Sequence, residues 1–150
     1  MRPVIGDIID LDRYPLDRLE SAEGQALVSY CREELVLSGM FNLAGLIRGE
    51  IIEQVVREVT PVIQSSAFTH RSQHNIYFLP KIEGLDPEHP ALQQFETVNH
   101  TICADQIPYS ALVNLYNWPP LAEFLAEVME KPALYPMDDS LACLNVMAYR

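Results

Sequence analysis

Apolar residues return to one side of the chain at helical spacing in three places. In residues 22–38, Leu27, Tyr30, Cys31 and Leu35 form a stripe, Ser21 starts the segment and Gly39 is a good residue to end it. In residues 49–63, Ile51, Ile52, Val55, Val56, Val59, Val62 and Ile63 face away from Glu50, Glu53, Arg57 and Glu58. Pro61 is expected to kink that helix or end it early. A third helix follows Asn117-Trp118-Pro119-Pro120, with Leu121, Phe124, Leu125, Val128 and Met129 on one side and Lys131-Pro132 at its end. A shorter helix is expected just before it, over 107–116.

Short apolar runs predict strands. One is 40–47, where Gly45 marks a bulge or a close backbone approach. Another is 75–79, reached by a loop through His74. A third is 95–105, with Val98, His100, Ile102 and Ala104 on one side. In 141–150 both alternating rows are largely apolar, which predicts a strand buried on both faces inside a sheet. Interior strands seldom sit at a terminus, so the expectation is that the sequence is the front part of a longer protein. Residues 1–20 read as an extended lead-in and 81–91 as a loop. With no internal repeat or linker, 1–150 reads as a single domain of mixed helix and strand.

Composition narrows the classes. The 150 residues are 49% hydrophobic and 21% charged, as in ordinary soluble proteins. Ten Lys and Arg stand against 21 Asp and Glu, a net charge of −11. That argues against nucleic acid and against an anionic membrane face, both of which need clustered cations. No apolar run approaches the ~20 residues that span a bilayer, and an acid at Asp7 comes too early for a signal peptide. Cys31, Cys103 and Cys143 are odd in number, widely spaced and set in apolar runs. The expectation is buried free thiols in a reducing, cytoplasmic compartment.

The chemistry-bearing residues are few. His70 and His74 have a ligand spacing for a helix, with His100 and Cys103 as further donors. No Glu follows the first His, however, and the segment is not helical in pattern, so a polar loop is the simpler reading. Arg71 could grip a carboxylate with two hydrogen bonds, or sit on the surface. Asp138 and Asp139 could hold an ammonium group, or shape a turn. Asn145, in an apolar strand, needs partners, from the core or from a ligand.

Several pieces together resemble bacterial non-haem Fe(II)/2-oxoglutarate-dependent oxygenases that hydroxylate or halogenate free amino acids. They are Arg13-Tyr14-Pro15-Leu16, His74-Asn75-Ile76-Tyr77-Phe78, Ala104-Asp105-Gln106-Ile107, Leu115-Tyr116-Asn117-Trp118-Pro119, and Asp138-Asp139-Ser140-Leu141-Ala142 with the strand beyond it. The resemblance implies an α+β fold, with N-terminal helices packed on the first strands of an incomplete double-stranded β-helix, or jelly roll. It implies Fe(II) and 2-oxoglutarate as cofactors of the parent protein, neither held by this chain alone, because the family's His-x-Asp or His-x-Gly motif would lie beyond Arg150. An amino-acid substrate would be bound by Arg71, His74, Asn75, Asp138, Asp139 and Asn145. The alternative left open is a small acidic binding module without a metal site. A homodimer is also in view, because an unpaired apolar strand edge invites pairing.

Overall fold

The computed structural model describes residues 4–79 and 82–149. Arg150, expected in the last strand, lies outside the described residues. Among the described residues the chain forms five α-helices and a three-stranded antiparallel sheet, and Ile102 and Val146 join one face of that sheet to the helical core. This is the α+β arrangement.

The lead-in holds a short helix, α1 (Ile5–Ile8), whose last residue Ile8 and the next, Ile9, are both at 0% exposure. Ile9 bridges Ile47, and Asp10 N donates to Leu46 O at 2.9 Å. That single bridge is all the pairing found in 40–47, so the expected strand there is instead a turn. Gly45, at φ +77°, reverses the chain, and the Tyr14 hydroxyl donates to Ala44 O at 2.8 Å to hold it.

The first long helix, α2 (Ala22–Ser38), has the expected bounds. Ser21 Oγ accepts from Gly24 N at 3.0 Å, and Gly39 takes φ +76° at the C-terminus. Its buried line is Gly24, Val28 and Cys31, at i, i+4 and i+7. Tyr30, two residues from Val28, falls on the opposite side and is exposed, which corrects the predicted stripe. The next helix, α3 (Gly49–Ser66), continues past Pro61, so the proline does not end it early. Proline removes one N–H, yet Pro61 faces solvent while Ile51, Val55 and Val59 anchor the buried side. Packing therefore outweighs the local break. Helix α4 (Ala111–Tyr116) starts later than expected, because residues 107–110 form a turn and Ser110 Oγ caps Leu112 N. Helix α5 (Pro119–Val128) opens on its two prolines. Its Phe124, 1% exposed, meets the Phe41 ring edge-on at 6.1 Å.

The strands are β1 (Phe68–His74), β2 (Phe95–Cys103) and β3 (Asn145–Tyr149), in the order β1-β2-β3. Two expectations are corrected here. The strand lies before Asn75, not after it, because the Asn75 side chain closes a turn over 75–79. And β3 is an edge strand with Met147 49% and Tyr149 69% exposed, not an interior strand buried on both faces. Only Val146 packs into the core, beneath the helices with Ile102 at 0% exposure. Cys31 is buried, but Cys103 and Cys143 are half-buried; all three are free thiols. Among the described residues no helix is long and apolar enough to cross a membrane.

Candidate functional site

Side chains alternate across a strand, so the register assigns every sheet residue to a face. The helix side takes Val98, His100 and Ile102 of β2 with Val146 and Ala148 of β3. The other side is open. It carries His70, Ser72 and His74 from β1, Thr97, Asn99 and Thr101 from β2, and Asn145, Met147 and Tyr149 from β3. At its centre Asn99 stands between His70 and Tyr149, and Thr101 between Phe68 and Met147. Thr101 Oγ1 donates to Asn99 Oδ1 at 3.2 Å. Beyond that contact to Oδ1, the Asn99 amide and the His70 ring have no hydrogen-bond partner among the described residues, and both stand on the open face. This row was legible but overlooked: Thr97, Asn99 and Thr101 alternate with Val98, His100 and Ile102.

A second feature lies at the far end of β1. Asn75 is 1% exposed; its Oδ1 accepts from Tyr77 N at 3.0 Å and Leu79 N at 3.2 Å, and its Nδ2 donates to Leu79 O. This side chain acts as the template of the turn. Phe78 is held at φ +54°, a left-handed conformation that a bulky residue rarely adopts. Its ring stacks on His74 at 4.2 Å and 15°. His74 Nδ1 lies 3.0 Å from Asn75 O, and a carbonyl can only accept, so Nδ1 carries the proton. Nε2 faces Thr97 Oγ1 at 3.2 Å. Ser72, His74, Asn75, Phe78, Leu79 and Gln94 line an open cavity of about 430 Å³.

The remaining candidates lie elsewhere. Arg71 alternates to the face opposite His74 and pairs with Glu96 at 3.3 Å, both side chains being largely exposed; such a pair contributes little to stability. Asp139 shapes a turn: its Oδ1 accepts from Leu141 N at 3.0 Å and its carbonyl from Cys143 N at 2.8 Å. Asp138 is exposed beside it. Asn145 is on the open face opposite Cys103, whereas His74 is opposite Phe95. Eight steps along β2 separate those positions, roughly 27 Å. The six residues therefore do not converge on one small ligand.

No family model, curated protein or solved structure matches the chain.

His70 and His74 are four residues apart along an extended strand, roughly 13 Å, and His100 is on the other face, beside Thr69 Oγ1 at 2.9 Å. Among the described residues no three His, Cys, Asp or Glu side chains group so as to hold an ion. A facial-triad iron does not fit these described residues. What the open face offers is hydrogen bonding by neutral side chains beside aromatic and thioether surface.

Proposed function

We infer that this chain forms the N-terminal, substrate-facing portion of an Fe(II)/2-oxoglutarate-dependent oxygenase acting on a free amino acid or similar small molecule. Two lines support the reading. One is the resemblance of the motifs quoted above. The other, which carries it, is the antiparallel sheet with helices on one face and an open face bearing His70, Asn99, Thr101, Asn145 and Tyr149. In this reading the sheet supplies the first strands of a jelly roll and the open face looks into its barrel. Iron and 2-oxoglutarate would supply the oxidising power, held by residues other than those described. The contribution of these residues is to bind and orient: the Asn99 amide and the His70 ring bond the polar end of the substrate, and Tyr149, Met147 and Phe68 pack on its carbon chain.

The test is a nuclear magnetic resonance titration of the chain with a panel of free L-amino acids. Saturable shifts confined to Asn99, Thr101 and the other open-face residues are expected for one member, and Asn99→Ala abolishes them. No saturable shift with any amino acid, or shifts confined to the helix side, refutes the reading.

A further inference from the structure

Phe78 stands where glycine or asparagine would be the less costly residue. At φ +54° a bulky side chain is strained, and such strain persists only where the surroundings fix it. Two supports fix it here: the three hydrogen bonds from the Asn75 side chain to the turn backbone, and the stack on His74. His74 is pinned in turn, with Nδ1 bound to Asn75 O and Nε2 facing Thr97 Oγ1. Yet the phenyl ring so held is 72% exposed. Burial does not account for it, since a ring that stays in water adds little to the core. What the arrangement yields is a flat apolar platform, set in advance at the rim of the cavity of about 430 Å³.

We propose that this cavity binds an uncharged sugar ring, which lays its apolar C–H face on Phe78. The volume is in the range of small-molecule sites. Its lining among the described residues carries no Lys, Arg, Asp or Glu, and the Arg71–Glu96 pair has the opposite strand parity. The ligand is therefore neutral. Its polar edge meets the Ser72 hydroxyl and the Gln94 amide, and both groups can donate and accept. Gln94 Nε2 donates to Leu92 O at 3.2 Å, which orients that amide. Sugar hydroxyls likewise donate and accept, so they match such partners in any rotation. A nucleobase has fixed donors and acceptors and two apolar faces, and it is better served by an enclosed slot than by this open cavity. The site is distinct from Asn99 and His70: His74 is four strand positions beyond His70, roughly 13 Å. It does not rest on the oxygenase reading.

The test is a nuclear magnetic resonance titration of the 150-residue chain with methyl glucoside, methyl galactoside and N-acetylglucosamine, and with adenosine in parallel. Saturable shifts at Ser72, His74, Phe78 and Gln94 are expected for at least one sugar. Phe78→Gly relaxes the backbone but removes the platform, and it weakens that binding more than tenfold while circular dichroism shows the fold retained. Phe78→Tyr keeps the ring and the affinity. Gln94 is exposed, so Gln94→Ala leaves the fold intact and weakens binding about fivefold, the loss of one neutral hydrogen bond. The proposal is overturned if no sugar gives saturable shifts, if adenosine alone shifts these residues, or if Phe78→Gly binds as the wild type does. Shifts confined to Asn99 and its neighbours also overturn it, without touching the function proposed above.

Discussion

Replacing Asn75 with alanine removes the template of the 75–79 turn, and the structure sets the size of the effect. Three hydrogen bonds disappear: those from Tyr77 N and Leu79 N to Oδ1, and that from Nδ2 to Leu79 O. Each is worth about 1 kcal/mol net. The stranded groups lie in a turn whose side chains are exposed, so water recovers part of the loss and about 2 kcal/mol is expected overall. Phe78 is then no longer held in its left-handed conformation, and its stack on His74 is released. The assay is urea unfolding followed by circular dichroism. With a slope of about 2 kcal/mol per molar, the midpoint falls by about 1 M. Asn75→Asp keeps the two accepted bonds but sets a carboxylate oxygen against Leu79 O at a buried position, so it is destabilised as well. A change below about 0.5 kcal/mol for the alanine variant refutes the template role.

Two further predictions concern α2. Gly24→Ala improves helix propensity by about 1 kcal/mol, but the added Cβ would stand 2.6 Å from Arg18 O and from Leu19 Cα. Both contacts are backbone and cannot swing aside, so the variant is destabilised by about 1–3 kcal/mol in the same unfolding assay; a stabilised variant would sink the argument. Burial, with a smaller contribution from the charge of Glu34, pushes the Cys31 thiol from 9.0 to about 11. The folded state therefore holds the thiol proton more tightly than the unfolded state, and stability contributed by Cys31 is full below about pH 9 and declines as pH rises toward about 11. A flat stability profile across that window refutes this, as does labelling of Cys31 by a thiol reagent as fast as the half-buried Cys103 and Cys143.

How much of this was legible in the sequence depends on which force decided each element. Helices α2 and α3 are governed by a repeating apolar face, and that pattern is local, so their positions could be read directly. The exceptions are instructive. Pro61 is a local break overridden by a buried row of Ile51, Val55 and Val59. The run 40–47 has strand-like composition but no partner beyond a single bridge from Ile9, and pairing is not a property of the run itself. In 68–79 the sequence misleads for a definite reason. The apolar residues Ile76 to Leu79 look like a strand, and the polar residues before them look like a loop. Asn75 reverses the assignment, since its side chain bonds the backbone of the turn and leaves the apolar residues outside.

The same reasoning explains why the candidate site was only partly foreseen. Arg71, His74 and Asn145 were singled out for their chemistry, one residue at a time. Whether they meet depends on strand parity and register, which fix Arg71 and His74 on opposite faces and set Asn145 eight steps along β2 from His74. Parity by itself needs only the sequence. Applied to 95–103 it separates Val98 and Ile102, which must be buried, from Thr97, Asn99 and Thr101, which need not be. A buried row requires no polar groups, and an exposed row could be filled by Lys and Glu, as on most solvated sheets. Here the open row is neutral in a chain carrying −11, and its neighbours across the sheet are Phe68, His70, Met147 and Tyr149. A face of that composition is poorly suited to plain solvation, since its aromatic and thioether groups gain nothing from water. On that ground the proposed function assigns recognition to this face rather than to Arg71, Asp138 or Asp139.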